Sequence, residues 1–153
     1  MSFYVSQQGL IDRYGDDMIA RLSDRDGDQN NDVDTVARAI RDAEGEINSY
    51  LGKQYDLPLP GVVDVVEPEI NSSVPDVLRR VAADISIYRL APTPDLLTRE
   101  QRKRYEDAIK WLEKIAEGKA SLGIEEPAPT QGGGLQITSN PRIFTRDSTD
   151  GLV

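Results

Sequence analysis

The chain has 153 residues, with 27 acidic against 18 basic side chains, a formal net charge of −9, and neither cysteine nor histidine. The length suits one domain with an appendage, and the missing residue types exclude disulfides, thiolate catalysis and Cys-built zinc or iron–sulfur sites, and remove the commonest general base. The acidity argues against a surface that grips nucleic acid through its phosphates or docks on anionic lipid. No apolar run approaches the roughly 18 residues of a membrane span, and the polar N-terminus lacks a signal peptide's apolar core, so the expectation is a soluble protein made in a cytoplasm.

The first block, "QQGLIDRYGDDMIARL", predicts two short helices. Leu10, Ile11 and Tyr14 share one face, Met18, Ile19 and Leu22 another, and Gly15 separates the two runs. The acidic stretch "SDRDGDQNNDVD" comes next. After it stands the clearest helix, "DTVARAIRDAEGEINSYLG", in which Val36, Ile40, Ala43, Ile47, Tyr50 and Leu51 recur at helical spacing. Asp34 is the expected N-cap and Gly52 sits where a C′ glycine belongs. Gly45, inside the helix, either permits a close helix crossing or is merely tolerated.

The segment "YDLPLPGVVDVVEPEINSSVP" carries four prolines from position 58 to 75. Pro58 and Pro60 enforce extended backbone. Val62, Val63, Val65 and Val66 read equally as a short strand or a packed loop. Pro75 then suits a first helical turn, and Leu78, Val81, Ala82, Ile85 and Tyr88 form an apolar stripe. "PTPD" interrupts. Thr98 with Gln101 reads as a capping box for a long helix with Tyr105, Ala108, Ile109, Leu112, Ile115 and Ala116 on one face, ending at Gly118.

From residue 125 the composition changes to prolines, three adjacent glycines and no helical period. Gly132 to Gly134 predict a flexible joint. Beyond it, "LQIT" and "RIFT" around Asn140-Pro141 are short pieces of alternating polarity, which pair as a hairpin, add to a partner's sheet or belong to a disordered tail. The division is a helical domain over residues 1–123 and a flexible linker with an extended arm over 124–153. The fold class is all-α: a small bundle of four to five helices with an extended C-terminal arm. The charge is uneven, since residues 1–58 alone hold 12 acidic against 6 basic side chains.

The acidic stretch invites comparison with a calcium-binding EF-hand loop. Counting from Asp24, the ligand positions 1, 3, 5 and 9 are Asp24, Asp26, Asp28 and Asp32. Position 6 is Gln29 where glycine makes the turn, position 8 is Asn31 where an apolar residue anchors the loop, and position 12 is Thr35 where a glutamate supplies two oxygens. This is a weak calcium candidate, and an acidic turn capped into the next helix is the better reading. No catalytic constellation emerges: no carboxylate pair sits among apolar residues that would raise its pKa, and "QGGGL" neither follows a strand nor precedes a helix. No cofactor and no enzymatic activity are expected. Arg99, Arg102, Lys103 and Arg104 form a basic run without an aromatic platform, which suits a solvated helix start or an intersubunit patch better than nucleic acid.

Several separated stretches, in order, resemble the head–tail adaptor (connector) proteins of Mu-like phages and prophages. They are "LIDRYG", "LSDRDGDQNNDVD" followed by "VARAIRDAEGEINSYLGKQYDLPL", "LRRVAADISIYRL", "RKRYEDAIKWLEKIAEGKASLG" and "NPRIFTRDSTDGL". The stretch "PGVVDVVEPEINSS" is longer than the family's pattern, which leaves the role of the 59–74 loop open. The resemblance implies a helical subunit of a homo-oligomeric ring, a dodecamer, in the neck at the portal vertex of the virion. It implies a portal protein on one side, a tail-side neck or stopper protein on the other, and genomic DNA passing non-specifically through the channel, with no membrane involved. It also implies a docking arm, in which Leu135, Ile137, Pro141, Arg142, Ile143, Phe144 and Arg146 are the candidate contacts. Two other readings stand beside it: a calcium-binding helical interaction module using residues 24–34, and a different neck or tail-completion protein.

Overall fold

The computed structural model describes residues 4–24, 27, 31–59 and 74–124. Five α-helices run through them: α1 (Gln7–Tyr14), α2 (Asp16–Ser23), α3 (Val33–Leu51), α4 (Asp76–Leu90) and α5 (Arg99–Ala116), with one 3-10 turn at Pro94–Leu96. Among the described residues there is no strand, so the expected all-α bundle is what forms. The 62–66 stretch and everything from residue 125 onward lie outside the described residues, and with them the expected hairpin, joint and arm.

Local chemistry sets most boundaries. The Ser6 hydroxyl accepts the Gly9 N–H at 3.0 Å to open α1. Gly15, at φ 84°, then turns the chain into α2, a conformation that side-chain-bearing residues rarely adopt. Both arms of the expected capping box are present at α5: Gln101 N donates to Thr98 Oγ1 at 3.2 Å, and Thr98 N donates to Gln101 Oε1 at 2.8 Å. The helix closes with a Schellman pair in which Gly118 N reaches Ile115 O and Lys119 N reaches Lys114 O, both at 2.8 Å, with Gly118 at φ 70°.

The core is organised around α4. The expected stripe accounts for Leu78, Val81, Ala82 and Ile85, but Ala83, Ser86, Ile87 and Leu90 are also buried, so the helix is enclosed on most of its circumference. It packs chiefly on α3 and α5, with α2 against it as well. Ser86 is accommodated there because its hydroxyl donates back to Ala82 O at 2.7 Å. From α3 come Val36, Ala39, Ile40, Ala43, Ile47 and Leu51, from α5 Ala108, Leu112 and Ile115, and from the first two helices Leu10, Ile19 and Leu22. Burying each large aliphatic side chain contributes about 1.5–3 kcal/mol.

Three local expectations are corrected, and one open choice, at Gly45, is decided. Asp32, not Asp34, caps α3: its carboxylate accepts the Thr35 N–H at 3.1 Å, while Asp34 lies in the first helical turn. Pro75 stands one position ahead of α4 as its N-cap, with its carbonyl accepting from Leu78 and Arg79. Gly52 closes α3 in the right-handed conformation, φ −60°, so no left-handed cap is needed there. Gly45 faces open space, with no atom within 4 Å of where a Cβ would stand. It therefore permits no close crossing, and its main effect is the cost of glycine in a helix. Gly45→Ala should raise the unfolding free energy by about 0.5–1 kcal/mol in urea denaturation; an unchanged or lowered midpoint would contradict that.

Candidate functional site

The acidic loop joins α2 to α3. Ser23, fully buried, holds its end: the Ser23 hydroxyl accepts the Asp32 N–H at 3.1 Å. Asp24 accepts the Gly27 N–H at 2.6 Å, a local side-chain-to-backbone bond closed where Gly27 takes φ 82°. Asp32 is committed to Thr35, receiving both its N–H and, at 2.5 Å, its hydroxyl. These bonds lower the Asp32 carboxyl below its ordinary range, the Thr35 side chain being the main cause. Asn31 donates to Asp16, tying the loop's exit back along α2. Asp26 and Asp28, the other two calcium candidates, lie outside the described residues, and among those described no cluster of three acidic groups is placed to hold a metal ion.

The basic run occupies the first turns of α5. Arg99, Arg102 and Lys103 are exposed, and none forms an ion pair with a described residue. Together with Glu106, Asp107 and Lys110 they line a shallow surface depression. Arg104 turns away from them: it pairs with Glu100 at 2.5 Å and lies beside the Tyr14 hydroxyl. The four residues expected to act together thus divide three to one. The arm residues Leu135, Ile137, Pro141, Arg142, Ile143, Phe144 and Arg146 lie outside the described residues.

Two polar clusters tie the helices together, and the periodicity of the sequence did not reveal either. In the first, the Tyr14 hydroxyl donates to Asp84, joining the end of α1 to α4. In the second, Glu46 of α3 accepts from Arg89 Nη2 at 2.9 Å and from the Tyr105 hydroxyl at 3.0 Å, joining α3, α4 and α5. The Tyr105 ring stacks on Tyr88, centroids 3.8 Å apart and nearly parallel. Tyr88 and Arg89 also line a cleft of about 170 Å³ with Ala91, Pro94 and Leu97. At the N-terminus, Glu44, only 6 % exposed, accepts the Tyr4 N–H at 3.1 Å, and the Tyr4 hydroxyl donates to Asn48 at 2.5 Å. One sequence signal was available: Tyr14 and Tyr105 sit on apolar helix faces, where a hydroxyl must find a partner.

Burial, reinforced by the neighbouring carboxylate, pushes the Tyr4 and Tyr105 hydroxyls up to about 12. Tyr14 rises further, from burial and then from its bond to Asp84. None of these groups forms a nucleophile–base pair; Tyr14 and Tyr105 close contacts between helices, and Tyr4 ties the segment before α1 to α3.

The described residues thus form an all-α bundle whose marked surface features are charged faces. The chain belongs to the family described as Bacteriophage Mu, Gp36, which matches residues 4–138. It is similar to the Mu-like prophage FluMu protein gp36 of Haemophilus influenzae, 31% identical over 155 residues and the whole of both chains. It is also similar to gene product J of Escherichia phage Mu, 26% identical over 133 residues, covering 85% of this chain and 83% of that one.

Two measurements check these assignments. A raised tyrosine pKa in the folded state contributes stability that is complete below the unfolded value of about 10 and is lost as pH rises through the folded value. Unfolding free energy should therefore fall above pH 10, and Tyr14→Phe should flatten the fall; an equally steep profile in the variant would refute the assignment. Calcium titration by calorimetry should show no saturable heat below millimolar concentrations, because Asp32 is spent on the α3 cap and Thr35 cannot close the ion's coordination.

Proposed function

We propose that the protein is a non-enzymatic structural component of a Mu-like phage particle, a head–tail adaptor that works by docking. The observation that carries this reading is the extent of the family match. It runs through the whole bundle and on to residue 138, so the helical body and part of the C-terminal segment beyond it belong to one phage protein. In this reading residues 1–123 form the body of a subunit in a homo-oligomeric ring, a dodecamer, and residues 124–153 form an arm that engages the portal protein or a neighbouring subunit.

The chemistry supports the proposal. Among the described residues the large exposed apolar side chains are Val33, Leu57 and Leu96, so charge dominates the surface. A net charge of −9 suits a channel wall past which genomic DNA slides without sticking. No helix of the described residues is long and apolar enough to cross a membrane. The site of action is the virion neck, at the portal vertex, with a tail-side neck or stopper protein beneath the ring.

The test removes residues 125–153 in a phage that depends on this gene. The truncated chain should keep its far-ultraviolet helical signal and its cooperative melt, yet yield heads without attached tails. Infectious particles at the normal titre would overturn the arm's role. Electron cryo-microscopy of intact virions, showing no ring of this chain next to the portal, would overturn the adaptor reading as a whole.

A further inference from the structure

Three cations stand close together on the solvent-facing ridge of α5, within its first five residues: Arg99, Arg102 and Lys103. Each is exposed and none has an ion-pair partner among the described residues. The position sharpens their charge. The start of a helix carries partial positive charge from its aligned peptide dipoles, so basic residues there are disfavoured by their own helix and an incoming carboxylate relieves both.

The same chain carries the complement. Asp17 in the first turn of α2 and Asp34 in the first turn of α3 are exposed and likewise form no ion pair with a described residue. Asn31 ties the approach to α3 back to Asp16, which gathers these acidic positions around α2. α2 touches the start of α5 through one contact, from the Gln101 amide to Met18 Sδ at 3.2 Å. Each subunit therefore carries an acidic face and a basic face that do not neutralise each other through ion pairs among the described residues.

We infer that the basic start of α5 seats the acidic α2–α3 face of a second copy of this chain. The inference rests on the ring reading above and names its contacting faces. Two different faces meeting head to tail leave one of each free at the ends of any pair, so the contact repeats, and where its rotation closes the product is a ring. Charge complementarity selects this occupant over nucleic acid. With 12 acidic against 6 basic side chains in residues 1–58, a phosphate backbone approaching α5 meets a repulsive neighbourhood, whereas a second copy brings its carboxylates to the cations.

The experiment uses the full-length chain in three charge-reversed forms: Arg102→Glu with Lys103→Glu, Asp17→Lys with Asp34→Lys, and all four together. Circular dichroism first establishes that each is folded, as expected for exposed positions. Self-association is read by sedimentation velocity at 50 and 500 mM salt, and ring formation by electron microscopy of particles. Each two-site reversal should weaken association by roughly tenfold or more, and the four-site reversal should restore it, because opposite charges then face each other again. High salt should weaken the wild type and the four-site form alike. In wild-type particles built from mixed light and heavy isotope protein, carbodiimide should join Lys103 of one copy to Asp17 or Asp34 of another. Reversals that leave the ring intact overturn the pairing while sparing the ring. Loss without rescue in the four-site form overturns the second copy as occupant and points to another anionic partner, with DNA tested by salt-dependent gel shift. Wild-type particles with no ring of this chain overturn both readings.

Discussion

The enclosure of α4 governs how every other helix is placed. A helix buried on most of its circumference leaves its polar groups to the ends and a narrow flank, and those that face its neighbours are satisfied by protein. Ser86 does this within the helix, Asp84 by accepting from Tyr14, and Arg89 by reaching Glu46. These last two bonds lie at different points along α4 and recruit different neighbours, one from the end of α1, the other from α3. The apolar core brings the helices together; the polar contacts fix which residue stands opposite which.

The electrostatic pattern arises from the same economy. Residues whose charges are used inside the bundle, Glu46 and Arg89 among them, are spent on helix contacts. The charge left at the surface is unequal: cations at the start of α5 and aspartates at the starts of α2 and α3. The aspartates are at home there, since the positive end of a helix favours them, and Asp32 uses the preference directly as a cap. The cations are not. The arrangement suits the docking role proposed for the protein.

The helices were legible in the sequence because their signals are local. Thr98 with Gln101, Gly15 and Gly118 each mark a boundary through backbone chemistry that needs no tertiary information. The apolar spacing of α3 and α5 likewise pointed to the faces that become buried. The features that were not legible depend on partners distant in sequence. The burial of Ala83, Ser86 and Ile87 requires helices on both sides of α4, which a single stripe does not announce. Asp34 and Asp32 both have the residue type of a cap, and the choice fell to Asp32 because Ser23, nine residues earlier, holds its N–H. Gly45 stayed open between a close crossing and mere tolerance because the sequence shows that a side chain is missing and not what it would have touched. At the candidate surfaces, the basic run was visible as a run, but its division into three cations unpaired among the described residues and one Arg104 paired with Glu100 and set beside Tyr14 depends on side-chain placement that a run of charge does not announce.

One contact beyond the helices bears on how the molecule would carry load. After the Schellman turn at Gly118 the chain doubles back, and the Leu122 N–H donates at 2.9 Å to the Tyr55 hydroxyl, itself buried just past the end of α3. Nearby, the Gln54 amide donates to Ala116 O at 3.1 Å. The point where the chain leaves the bundle toward residue 125 is therefore pinned to the same corner from which it sets out toward residue 60. Tension applied to the C-terminal segment would meet this clasp before it reached α5, so the helix would be shielded from being peeled off its neighbours end first. The clasp also gives the proposed arm a fixed origin on the body.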